Sequence, residues 1–140
     1  ETRHLAREAY SDREVILLGD FNSVSPSDEI HESLWELPPR FLARHVRDAD
    51  HPREFDTRAV AILEYAGFTD LYRKANPDDP GWTIPTDIGS PFNTTHMRLD
   101  YAFATPPLAD RLSQVRVVDT EESRKASDHF PLVCEFKPGP

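Results

Sequence analysis

A single cysteine, Cys134, stands in a chain of 140 residues. One thiol excludes an internal disulfide framework and a multi-cysteine zinc site. Cys134 alternates with Leu132 and Phe136 in a short strand-like run, so it reads as a core thiol rather than a reactive nucleophile. Long apolar runs are missing too: none approaches the length of a membrane span, and no signal-peptide pattern opens the chain. Positive charge is scarce, with 16 Lys and Arg against 25 Asp and Glu and a formal net charge of −9. No local Lys/Arg block supplies a broad basic groove for nucleic acid. A phosphate ligand is not thereby excluded, but it demands a divalent cation or a second basic element to offset the acidity. No internal repeat, low-complexity tract or linker divides the chain, and its length suits one domain, 1–140, with one sizeable core. Eight Phe, two Trp and four Tyr are enough to build that core.

The pattern of what is present is mixed. Residues 2–10 read as a short helix, and Val15–Leu18 as a buried central strand ended by Gly19, which allows a turn. Ser25-Pro26-Ser27-Asp28 has the form of a capping box with Pro at the first helical position, opening a helix to about Leu37 that Pro38-Pro39 stops. A polar connection over 38–56 leads to a helix from about Asp56 to Ala66, closed by Gly67. Dense turn signals at Asn76–Gly81 precede a long loop through Asn93, and a loop of that length is a functional candidate. Leu99–Ala104, Val115–Val118 and Pro131–Phe136 read as strands, with a short helix at Pro106–Leu112. Interleaved helices and strands predict an α/β (α+β) arrangement.

Three stretches place reactive side chains at strand ends: Gly19-Asp20-Phe21-Asn22, Arg98-Leu99-Asp100-Tyr101 and Ser127-Asp128-His129. Taken singly, each is also an ordinary Asx-type turn. Together they supply complementary parts. A histidine transfers protons near neutral pH, a neighbouring carboxylate fixes its tautomer, and a second carboxylate orients water. An amide binds a developing oxyanion, and a divalent metal polarises a phosphoryl group. Alternation along the first stretch points Phe21 away from Asp20 and Asn22, to pack.

"LLGDFNS", "MRLDYAF" and "ASDHFPL", in that order, resemble the C-terminal signature blocks of the endonuclease/exonuclease/phosphatase superfamily, the deoxyribonuclease I-like metal-dependent phosphoesterases. "AGFTDLY" and "PDDPGWT" between them resemble its bacterial members, and the likeness runs from about Val15 to Phe136. The resemblance implies half of a four-layered α/β/β/α sandwich, a mixed, mostly antiparallel sheet with helices on one face. It implies that Asp20 orients or deprotonates the attacking water and that Asn22 hydrogen-bonds the scissile phosphate. Asp100 would pair with His129, which would stabilise or protonate the phosphoryl oxygens. Asp128 would lie on the metal side, as a ligand directly or through water, and Arg98 would be a supporting residue. Trp82 and Thr83 would shape a substrate pocket or simply pack.

The implied cofactor is Mg²⁺ or Mn²⁺, with its main glutamate ligand in an N-terminal half that is absent here. Glu1, Glu8 and Glu14 do not sit in a matching strand block. The expectation is therefore a phosphate-ester hydrolase, inactive or nearly so as this chain, acting on nucleic acid, a lipid headgroup or a small metabolite. The alternative is a non-catalytic binding or assembly module that keeps the fold. An uncovered apolar sheet face on Val15–Leu18 and Leu132–Phe136 leads to an expectation of self-association. The cluster His45, Asp48, Asp50 and His51 lacks regular ligand spacing and reads as a solvated loop. The sequon Asn93-Thr94-Thr95 reads as chance, His96 as a surface residue, and His4 and His31 carry no signal.

Overall fold

The computed structural model describes residue 10 and residues 12–48, 50, 54–88 and 95–139. The expected helix over 2–10, all but its last residue, lies outside them, as do His51 and the sequon residues Asn93 and Thr94. Five strands form two antiparallel sheets among the described residues. β1 (Ile16–Asp20), β3 (Asp100–Ala104) and β2 (Thr69–Asp70) make the first, in the order β1-β3-β2. β4 (Leu112–Val117) and β5 (Leu132–Phe136) make the second, with a register shift between Leu112 and Gln114.

The spine is β3, whose alternate side chains enter two different cores. Tyr101 and Phe103 meet Val60, with Leu17, Phe21, Leu63 and Phe68 packed around them. Ala102 and Ala104 meet Leu71 and Ala109, beside Ile16, Leu132, Cys134 and Phe136. Large rings on one side and alanines on the other let a helix and a second sheet approach at different depths. Each fully buried large apolar side chain contributes about 1.5–3 kcal/mol, which puts the stability of the sheet mainly on β3. Val15–Leu18 is not the central strand that its apolar run suggested. β1 is an edge strand among the described residues, and Leu18 is 63% exposed. Gly19 does not make the turn either: it is paired with Tyr101 inside β1, at a φ of 150° that favours glycine.

Helices lie on both faces rather than one. Residue Val60 of α2 (Arg58–Tyr65) packs on the ring face of β3, while Leu71 of α3 (Leu71–Ala75) and Ala109 of α4 (Pro106–Ala109) pack on the alanine face. The alanine face is open because its small side chains leave room there. The helix expected from Ser25 to Leu37 is replaced by a turn and a 3₁₀ segment, Glu32–Glu36. Half the capping geometry forms, since the Ser25 amide donates to Asp28 Oδ2 at 3.3 Å, but the Asp28 side chain is recruited elsewhere. Pro38-Pro39 does not simply stop a helix: it starts the short α1 (Pro39–Leu42). A capped helix, α5 (Glu121–Ala126), occupies a stretch with no sequence expectation; Thr120 and Ser123 form its capping box.

Asp28 goes to Arg98. The Arg98 side chain is 1% exposed, and its guanidinium pairs with Asp28 at 2.6 Å and with Asp70 at 2.6 Å. Arg73 reaches Asp28 at 2.9 Å, and the Tyr101 hydroxyl donates to the Arg98 carbonyl at 2.9 Å. Asp70 also caps α3, accepting from the Tyr72 and Arg73 amides at 3.0 and 3.2 Å. One cation thereby joins the loop after β1, the entry to β3 and the start of α3. Removing one partner of such a buried set leaves an uncompensated charge. Arg98→Ala is expected to lower unfolding stability by about 3–5 kcal/mol in urea titration; a loss below about 1 kcal/mol would place the network among weak surface pairs.

Candidate active site

β1 and β3 bring Asp20 and Asp100 together by register alone. The two residues are direct partners in the antiparallel pair, at the end where both strands meet loops. The Phe21 amide donates to the Leu99 carbonyl at 2.8 Å and extends the pairing one step further. Phe21 then enters the core, edge-on to Tyr101 and Phe103 with ring centroids 5.7 Å away in each case. Asn22 turns the chain in a left-handed conformation, φ 48°, which asparagine tolerates better than most residues. Its amide donates to Asp20 Oδ1 at 2.8 Å and its Nδ2 to Asp20 Oδ2 at 2.7 Å. Asp20 and Asn22 are thus one locally bonded unit.

His129 completes the group. Its Nδ1 is 2.6 Å from Asp100 Oδ2, and its amide donates to Ser127 Oγ at 3.2 Å. Asp20, Asp100 and His129 each offer a ligand atom, and these atoms lie within 4.8 Å of one another. Like charges directly opposed across two strands are unfavourable, so the Asp20–Asp100 pair calls for a cation. Two carboxylates and an imidazole so placed can hold a divalent metal ion. Burial by itself lowers the His129 pKa, but the hydrogen bond and charge of Asp100, with Asp20 and Asp128 adding, raise it above the ordinary histidine value.

Thr83 holds these parts in place from behind. It is fully buried; its hydroxyl accepts from the Leu99 amide at 3.0 Å and the Asp100 amide at 3.3 Å. Its carbonyl accepts from the Phe130 amide at 2.8 Å, one residue beyond His129. The residue expected to shape a pocket instead ties the two ends of the Asp100–His129 pair to one backbone. Trp82 faces elsewhere, packed on His96 at 4.3 Å and on His31 at 5.3 Å. It lines a separate hollow with Glu29, Glu32 and Asp78. Asp128 is exposed and lies outside the three-residue group. Cys134 is half-buried, and burial followed by the charge of Asp70 pushes its thiol up to about 11, as a packed thiol requires.

A cleft of about 490 Å³ has Asn22, Phe41, Arg44, His45, Asp128 and His129 among its lining residues. Burial, then the charge of Arg44, keeps His45 below the ordinary histidine pKa despite the pull of Asp20. The segment of His45 is pinned beside Asn22: the Asp56 amide donates to the His45 carbonyl at 2.7 Å, and Ser23 Oγ donates to the Asp56 carbonyl at 2.8 Å. Sequence reading missed Phe41 and Arg44. The available signal was their separation from each other by three residues, about one helical turn, just after Pro38-Pro39. Asp48 and Asp50 make a local turn, with the Asp50 amide donating to Asp48 Oδ1 at 3.0 Å.

A family model described as Endonuclease/Exonuclease/phosphatase family matches residues 1–129. An exodeoxyribonuclease of Streptococcus pneumoniae is 26% identical over 132 residues, covering 92% of this chain and 43% of the relative. The structure of an AP endonuclease from Archaeoglobus fulgidus superposes with a TM-score of 0.65 at 26% identity, over 98% of this chain and 51% of that one. A 3′ phosphatase from Neisseria, solved with a product DNA hairpin, shares the fold at 23% identity with a TM-score of 0.65, over 97% and 50% of the two chains. The chain thus spans about half the length of the relatives it matches.

Two outcomes follow from this geometry. In a metal-free NMR titration, His129 is expected to titrate above the usual histidine value and His45 and His96 below it; Asp100→Asn should bring His129 down. Because the folded-state pKa of His129 is raised, its stabilising pairing is complete at low pH and fades as pH rises through that pKa. Thr83→Val, which strips the Leu99 and Asp100 amides of their acceptor, is expected to cost about 1–3 kcal/mol in denaturant unfolding.

Proposed function

We propose that this chain, which belongs to the endonuclease/exonuclease/phosphatase family, is the catalytic-strand portion of a divalent-metal-dependent hydrolase of phosphate esters. The observation that carries the reading is Asp20 opposite Asp100 at one sheet end, with His129 bonded to Asp100. DNA is the favoured substrate, since the curated relative is an exodeoxyribonuclease and a related fold was solved with DNA.

The residues divide the work by position. Asp20 orients the attacking water and takes its proton as the new bond to phosphorus forms in line with the breaking one. Asn22 has a second amide hydrogen beyond the one given to Asp20, and this donates to a phosphate oxygen. Asp100 accepts from Nδ1 of His129, which leaves Nε2 to donate to the phosphoryl group and to the departing alcohol. A bound Mg²⁺ or Mn²⁺ supplies Lewis-acid stabilisation of the charge on the phosphoryl oxygens. Asp20 and Asp100 are the residues that would hold it, with Asp128 acting through water. The remaining ligands, a glutamate above all, come from the other half of the sandwich. Copies of this chain associate through the sheet face on which Leu18 is exposed.

The test is a screen of phosphate esters, DNA included, with the intact protein in Mg²⁺ or Mn²⁺. Asp20→Ala and His129→Ala are each expected to lower kcat by about 10²–10⁴-fold, and chelation should abolish turnover. Wild-type turnover in either variant overturns the mechanism. A binding module that merely kept the fold would retain DNA without metal-linked hydrolysis.

A further inference from the structure

The cleft beside the carboxylates contains one guanidinium, and its setting differs from that of its neighbours. Arg47 pairs with Glu54, Arg58 with Asp56, Arg98 and Arg73 with Asp28, and Arg124 with Asp119. Arg44 instead lies over the ring of Phe41, 5.3 Å from its centroid, with Arg40 4.7 Å from the same ring, and lines the cleft together with Asn22, Asp128 and His129. Among the described residues lining that cleft, Arg44 is the only Lys or Arg. A guanidinium stacked on an aromatic face keeps its edge N–H groups in a fixed plane, and that fork matches two phosphate oxygens.

The chemistry of the site makes this cation necessary. Asp128 and His129 line the cleft, Asp20 and Asp100 stand beside His129, and the whole chain carries a formal net charge of −9. A metal at the carboxylates offsets the charge of the phosphate being cut. It does nothing for the next phosphate along a strand, for which Arg44 is the one Lys or Arg among the described residues lining the cleft. We infer that Arg44, lying over the Phe41 ring, binds a phosphate flanking the scissile one and so selects polynucleotide over isolated phosphate esters. The inference rests on the phosphoesterase reading above.

The experiment compares an oligodeoxythymidylate with bis(p-nitrophenyl) phosphate, which has a single phosphate, as substrates of the intact protein. Arg44→Ala is expected to lower kcat/KM on the oligonucleotide at least about 5-fold more than on the small ester, mostly through KM. Arg44→Lys should recover part of that loss, because charge returns without the fork. The salt dependence of oligonucleotide affinity, read by fluorescence anisotropy, should flatten in Arg44→Ala by a slope of about 0.7–1. Equal losses on both substrates, or unchanged oligonucleotide affinity and salt slope, overturn the role of Arg44. If the intact protein hydrolyses neither probe, the phosphoesterase reading fails on its own, and the anisotropy result still decides for or against Arg44.

Discussion

The buried Arg98 guanidinium, pinched between Asp28 and Asp70, is the interaction on which the rest of the structure depends. Three segments that are far apart in sequence end on it. Asp28 belongs to the loop that leaves β1, Asp70 opens α3, and Arg98 itself sits two residues before Asp100. The charges are costly to bury, so the network stabilises the fold only while all its members are present. That condition makes it a locator. β3 cannot slide against β1 without breaking the contact, and a slip of one residue would turn Asp100 to the other face of the sheet.

The locator is needed because the site works against the fold. Two aspartates stand opposite each other at the end of an antiparallel pair, and an asparagine takes a left-handed turn beside them. Neither feature favours folding in isolation. They persist because the backbone around them is over-determined. Thr83 holds the Asp100 amide with its hydroxyl and the Phe130 amide with its carbonyl, so the distance between Asp100 and His129 is set by main-chain bonds. Phe21, partly buried against Tyr101 and Phe103, lies between the exposed Asp20 and Asn22. Burial, with the charge of Arg44 adding, lowers the pKa of His45, whereas against burial Asp100, with Asp20 and Asp128, raises that of His129.

Much of the site was legible because each motif lies where a strand ends, and a strand end is visible in sequence as apolar residues giving way to Asp, Asn or His. Asp20, Asn22, Asp100 and His129 were all found in that way. The alternation that sends Phe21 inward was legible for the same reason. What could not be read depended on distant partners. Ser25–Asp28 looks like a helix start, but Asp28 is claimed by an arginine 70 residues away. Thr83 looks like a loop residue that shapes a pocket or packs until its bonds to the amides of Leu99, Asp100 and Phe130 are seen. Val15–Leu18 looks central because it is apolar, yet β3 holds the centre, with Tyr101 and Phe103 on one face and alanines on the other.

The central claim is that the strand ends of this chain assemble Asp20, Asp100 and His129 into one cation-seeking group. Paramagnetic broadening by substoichiometric Mn²⁺ in the NMR spectrum of the labelled protein tests it most directly. The amide signals of Asp20, Asp100 and His129 are expected to broaden first, and Asp100→Asn to suppress the effect. Broadening centred elsewhere, on the exposed Glu121 and Glu122 for example, or unaffected by Asp100→Asn, would contradict it.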